Sequence, residues 1–133
     1  MIVDSSALVA LIKREPDWPA LLQEMESADC LRMSAASYLE TAIVLDSRRS
    51  AAMSAGLDEV ILDSEIVIEP VTVAQAKIAR QAYRDYGKGS GHAANLNFGD
   101  CFSYALAREK REPLLFKGDD FVHTDLHPAL RQP

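Results

Sequence analysis

Residues 1–15 read MIVDSSALVALIKRE. Met1, Ile2 and Val3 form a short apolar run of strand character, and Asp4, Ser5 and Ser6 interrupt it. Leu8, Leu11 and Ile12 then recur at helical spacing, and Pro16 stops the helix. A strand, a polar turn and a helix in so short a span open a β–α unit.

The same alternation continues outward. In DWPALLQEMESA, residues 17–28, Asp17 is placed to cap a second helix, with Pro19 in its first turn and Leu22 and Met25 on one stripe. CLRMS, residues 30–34, is the next strand candidate, and Ser34 the next cap. Leu39, Ala42, Ile43 and Leu45 mark a helix over 35–49, whose last residues, Arg48 and Arg49, suit its C-terminal dipole. A further helix is expected over 51–64 despite Gly56. EIVIEPV, residues 65–71, is a third strand ended by Pro70, and 73–86 is a helix with Ala76, Ala79 and Tyr83 along one side. GKGSGH, residues 87–92, reads as a flexible loop. NLNFGDCFSYALA, residues 95–107, leads into a buried helix reaching about residue 111. PLLFK, residues 113–117, is a fourth strand, and the tail from Gly118 onward is irregular. Strands and helices alternating in this way predict an α/β fold, with helices on both faces of a mainly parallel sheet. Without repeats or linkers, residues 1–133 are expected to form a single domain.

Composition narrows the function. The net charge of −6 argues against a broad basic surface for nucleic acid, yet it leaves room for a nuclease whose acids hold cations. No apolar run approaches the roughly 20 residues of a membrane helix. No basic segment precedes the first apolar stretch, so neither membrane nor secretory signal is expected and the chain reads as cytoplasmic. Cys30 and Cys101 match no metal or redox spacing and read as buried free thiols.

The acids are the informative feature, because functional groups in parallel sheets gather at the carboxyl ends of the strands. Asp4 follows the first strand, and Asp119 and Asp120 follow the fourth. Asp100 opens the helix before that fourth strand, and Glu40 lies on the helix after CLRMS. Each has a local explanation. Asp4 and Asp100 can cap helices, and Asp119 and Asp120 can serve a turn beside Gly118. Ser37-Tyr38-Leu39-Glu40 fits a capping box. Gathered together, however, they would repel one another and raise their own pKa values unless a cation lay among them. A carboxylate-rich set without His or Cys suits Mg²⁺ or Mn²⁺, ions that activate water and neutralise charge developing on a phosphoryl group.

In order and spacing, MIVDSSALVAL, SAASYLETAIVL, LNFGDCFSYALA and EPLLFKGDDFVHTDL resemble the PIN-domain ribonucleases, and among these the VapC toxins of bacterial VapBC toxin–antitoxin modules. The resemblance spans essentially the whole chain. It implies a PIN-like three-layer α/β/α sandwich in which Asp4, Glu40 and Asp100 are catalytic carboxylates and Asp4 and Asp100 hold the metal. A fourth acid comes from Asp119 or Asp120; relatives with Asn at the first of these positions favour the second. Ser6 and Asn97 match polar positions that support the acids. The implied activity is hydrolysis of RNA, often tRNA or ribosomal RNA, by a water that Mg²⁺ or Mn²⁺ activates. Implied partners are a VapB antitoxin and a second copy of the chain.

The competing reading is a non-catalytic acidic α/β binding module or a phospho-receiver-like signalling domain. A receiver wants a phospho-acceptor Asp at the end of its central strand. Here EIVIEPV ends in Glu69-Pro70, and Glu40 has no role in that scheme. A DxD phosphatase is excluded because Ser6 stands two residues after Asp4. His123 and His127 read as surface histidines, and Lys13, Arg14, Lys88 and Lys117 as solvated or phosphate-facing cations. Phe98, Phe102, Tyr104 and Phe116 read as core, and Trp18 as a possible interface residue.

Overall fold

In a computed structural model that describes residues 1–130, six helices and four strands follow one another along the described chain. They are β1 (Ile2–Val3), α1 (Ser5–Ile12), α2 (Trp18–Ser27), β2 (Arg32–Ser34), α3 (Ala35–Asp46), α4 (Ala51–Asp63), β3 (Val67–Glu69), α5 (Val73–Tyr86), α6 (Asp100–Lys110) and β4 (Leu114–Leu115). The described part of the tail consists of turns and bends apart from an isolated parallel bridge between Pro128 and Leu114 of β4; residues 131–133 lie outside the described region.

The strands lie in the order β3-β2-β1-β4, and every pairing is parallel. The chain therefore steps outward from β1 through β2 to β3, then returns across the sheet to β4 on the other side of β1. Right-handed crossovers that travel in opposite directions place their helices on opposite faces, and the packing agrees. Val3, Met33 and Leu115 pack with residues of α1–α4, including Leu8, Leu21, Leu45 and Leu57. Ile2, Leu114 and Phe116 pack with Ala82 of α5 and Tyr104 and Leu106 of α6. The period-2 alternation of β1 and β4 thus divides their side chains between two cores. The result is a three-layer α/β/α sandwich. Its winding reverses at β1 and β4, where a parallel sheet opens a crevice at its carboxyl edge.

Helix starts follow local chemistry where a side-chain oxygen is available. Asp4, Ser34, Ser50 and Thr72 accept from backbone amides of α1, α3, α4 and α5. Asp17, expected to cap α2, makes no such bond; its carboxylate instead meets Lys117 Nζ at 3.1 Å. Gly56 sits inside α4 because a Cβ there would come within 3.2 Å of Ile12 Cγ2, so the glycine permits close approach to α1. No helix among the described residues is long and apolar enough to cross a membrane.

Candidate active site

Asp4 leaves the carboxyl end of β1 and is 2% exposed. As N-cap of α1 its Oδ2 accepts from the Ser6 amide at 3.0 Å and from Ser6 Oγ at 2.6 Å, while Oδ1 accepts from Ser103 Oγ at 2.5 Å. Ser6 Oγ in turn accepts from the Lys117 amide at 3.0 Å. One hydroxyl therefore ties the end of β1 to the turn after β4, which carries Asp119 and Asp120. The helix-capping explanation of Asp4 holds for its position and leaves the outer part of its carboxylate to be explained.

Glu40 departs from the capping-box reading. Ser34 caps α3, and Glu40 Oε1 accepts from Ser5 Oγ at 2.6 Å, a contact between α3 and the start of α1. Its carboxylate lies directly against the backbone of Gly99. A Cβ at Gly99 would stand 2.8 Å from Glu40 Cδ and overlap Oε2. Gly99 has φ −64° and ψ −39°, ordinary for any residue, so glycine serves here by its missing side chain. Gly99→Ala is accordingly expected to displace the Glu40 carboxylate and lower catalytic rate about 30-fold, while stability changes by less than ~1 kcal/mol. Parallel rate measurements and thermal melts check it; an alanine variant of full activity would disprove the placement of Glu40.

Asp100 is the first residue of α6, with Gly99 at the N-cap. It is locked to Asn97 in both directions: the Asn97 amide donates to Asp100 Oδ2 at 3.0 Å, and the Asp100 amide donates to Asn97 Oδ1 at 2.9 Å. Burial pushes its carboxyl up to about 7, the Asn97 amide pulls it down, and the charges of Asp4, Asp120 and Glu40 raise it further. Acids from three other parts of the chain thus act on Asp100 at the carboxyl edge. Asp120 is among the principal charges acting on Asp100, and Asp119 is not. Both of these residues are exposed.

The donor set is oxygen alone, as a hard divalent cation requires. Among the described residues no three of these side chains stand in a geometry already closed around an ion. Asp4, Glu40 and Asp100 are each held by their own hydroxyl or amide donor, and Asp100 is the carboxyl that burial and neighbouring charge push up. The set therefore fits a cation electrostatically: a charge placed among the acids would oppose the repulsion that raises Asp100.

Other residues stand differently from their expectations. Lys117 is paired with Glu15 and Asp17, and the Arg14 guanidinium lies 4.5 Å from the Trp18 ring centroid. No helix spans His123 and His127. Cys101 is buried and Cys30 half-buried, both free. Tyr104 and Phe116 are core, but Phe98 is 77% exposed, in edge-to-face contact with Phe102 at 4.9 Å. It belongs to the loop that delivers Asp100, outside the sheet's apolar faces. Ser103, Ser5 and Ser37 are the polar contacts that sequence reading missed. Their visible signal was a serine three residues from an acid on each of two helices.

Comparison with known proteins agrees with this architecture. The family model described as PIN domain matches residues 1–126. The chain is 57% identical over 130 residues to ribonuclease VapC28 of Mycobacterium tuberculosis, covering 98% of each protein. It is 48% identical over 129 residues to ribonuclease VapC42 of the same organism, covering 97% of this chain and 98% of that one. Among solved structures, that of M. tuberculosis VapC20, described as a sarcin–ricin loop cleaving toxin, superposes with a TM-score of 0.70 at 20% identity, covering 96% of this chain and 98% of the other. From its β1–α1 opening to the turn after β4, and from its matches across nearly the full length, the chain belongs to the PIN-domain family, alongside the VapC ribonucleases.

Proposed function

We propose that this protein is a Mg²⁺- or Mn²⁺-dependent endoribonuclease, the toxin of a toxin–antitoxin pair, acting at the cluster of Asp4, Glu40, Asp100 and Asp120. The observation that carries the reading is the carboxyl of Asp100 raised to about 7 by burial and by three acids converging from other elements. Carboxyls perturbed by burial together with specific charged neighbours cluster at functional sites. The ribonuclease names of the relatives support the same conclusion.

Asp4 and Asp100 would hold the ion, with Glu40 and Asp120 completing the acidic ring. When bound, a divalent ion supplies a more acidic water and neutralises charge on the phosphoryl oxygens. The chain's own work is positional. Ser6 and Ser103 fix Asp4, Ser5 fixes Glu40, and Asn97 fixes Asp100. A carboxylate of the ring accepts the proton of the attacking water. An O–P bond forms, the bond from phosphorus to the 3′-oxygen breaks, and the 3′-oxygen takes up a proton, leaving 5′-phosphate and 3′-hydroxyl ends. Transfer or ribosomal RNA is the proposed substrate class.

The experiment is cleavage of RNA by purified protein with mapping of product ends. Activity should require Mg²⁺ or Mn²⁺, vanish with chelator and return on adding the ion. Asp120→Asn should lower it about 100-fold and Asp119→Asn less than about threefold. Equal loss from both variants would overturn the choice of Asp120; metal-independent cleavage would overturn the mechanism. A cognate VapB-type antitoxin and homodimerisation complete the proposal. An exposed Phe98 and Tyr83 beside a 250 Å³ recess lined by Ala76, Ala79, Cys101 and Phe102 support the dimer by leaving an apolar face on α5 and α6. Light scattering that finds a monomer would refute it, and growth arrest not relieved by the co-expressed antitoxin would refute the toxin assignment.

A further inference from the structure

Beneath the carboxylates lies a second polar layer. Ser37 is 1% exposed and Ser103 fully buried, and their hydroxyls meet at 3.0 Å between α3 and α6. Ser37 precedes Glu40 by three residues on α3, and Ser103 follows Asp100 by three on α6. Each serine is therefore on the same helix face as an acid, one turn removed. Ser103 Oγ also reaches Asp4 Oδ1 at 2.5 Å.

The proton count fixes the direction of this chain. A carboxylate only accepts, and a hydroxyl has one proton to give. Ser103 gives its proton to Asp4, so the bond between the serines is donated by Ser37. The order is Ser37 to Ser103 to Asp4. It joins the helix bearing Glu40, the helix bearing Asp100 and the residue ending β1, all inside the protein. Packing alone would fill this place with alanine or valine; here two buried hydroxyls are hydrogen-bonded to each other and, through Ser103, to Asp4.

We infer that Ser103, supported by Ser37, is a positioning residue for the metal site. It occupies one lone pair of Asp4 Oδ1, and with Ser6 filling both on Oδ2 a single lone pair of Oδ1 is left for an ion. With Ser37 it also sets the spacing between α3 and α6, and so between Glu40 and Asp100. This inference rests on the metal-dependent ribonuclease reading of the carboxylate cluster.

The test measures Mn²⁺ binding by calorimetry on the metal-free protein, separately from RNA cleavage. Ser103→Ala should weaken Mn²⁺ binding about tenfold, and Ser37→Ala, which acts through Ser103, about threefold. The double variant should be no weaker than Ser103→Ala alone. Leu57→Ala, a core change in α4, should lower the melting temperature and leave Mn²⁺ affinity unchanged, separating positioning from general destabilisation. If Ser103→Ala does not fold, the Ser37→Ala arm decides the matter. Folded serine variants that bind Mn²⁺ within twofold of wild type would overturn the positioning role. A wild-type protein that binds no Mn²⁺ would overturn the metal reading, and the inference with it.

Discussion

Asp100→Asn is expected to lower RNA cleavage about a thousandfold and, in metal-free buffer near pH 8, to melt about 5 °C above wild type. The two effects have one origin. The Asp100 carboxyl is raised from an ordinary 3.8 to about 7, first by burial and then by Asp4, Asp120 and Glu40. Between those two values the folded protein binds a proton that the unfolded chain does not, so wild-type stability falls as pH rises through the window and is lowest above about 7. At 1.36 kcal/mol per unit the full shift is worth ~4 kcal/mol; water reaching this partly exposed carboxylate reduces that to about 2 kcal/mol. Asparagine removes the charge but keeps an oxygen to accept the Asn97 amide. Its advantage should be full near pH 8 and disappear near pH 4. Adding Mn²⁺ should reverse the ranking, because wild type gains binding free energy that the variant lacks. Thermal melts at the two pH values, with and without Mn²⁺, read every part of this. A variant that still cleaves RNA, or one that melts lower than wild type near pH 8, would contradict the site.

What sequence made visible was the local part of the design. The helix expected over 73–86 is α5 without adjustment, and the four strands appear in their places, shortened to two or three residues each. Shortening has a physical source: apolar flanks such as Ile66 and Phe116 are buried by helix packing rather than by ladder pairing. Periodicity cannot tell these apart. Errors arose where a distant residue outbid a local one. Asp17 forgoes its cap for Lys117, a hundred positions away, and Glu40 forgoes a capping box for Ser5 and the gap left by Gly99. Aromatic character alone predicts a core position for Phe98, yet it stands exposed on a loop outside the sheet's apolar faces. Strand ends in a parallel sheet converge, which makes Asp4, Asp119 and Asp120 readable as neighbours of one edge, whereas Glu40 and Asp100 reach it from helices. Ser103 was not legible, since its use depends on a contact across 99 residues that no spacing announces.

Asp4→Asn is expected to be as inactive as Asp100→Asn, about a thousandfold down, but to melt slightly below wild type, by about 1 kcal/mol. Asp4 is 2% exposed and its charge is already met by three donors: the Ser6 amide, Ser6 Oγ and Ser103 Oγ. An asparagine can keep its oxygen toward Ser6 and turn its amide toward Ser103. The Ser103 hydroxyl then accepts from that amide and donates to Ser37, so the buried chain keeps two bonds in the reverse direction and only the Ser37 proton loses its acceptor. What is lost is a negative charge at the N-terminus of α1 and the strength of charge-assisted bonds, each a modest cost. Asp4→Ala is different: it removes the cap and leaves Ser103 facing a void, at about 3 kcal/mol. The two inactive asparagine variants should therefore move stability in opposite directions. Asp100 is the acid whose charge burial and its neighbours oppose, and Asp4 is the acid held by three donors. If Asp4→Asn rose in melting temperature as far as Asp100→Asn, Asp4 would be carrying uncompensated charge, and the hydrogen bonds from Ser6 and Ser103 would not have the orienting role assigned to them.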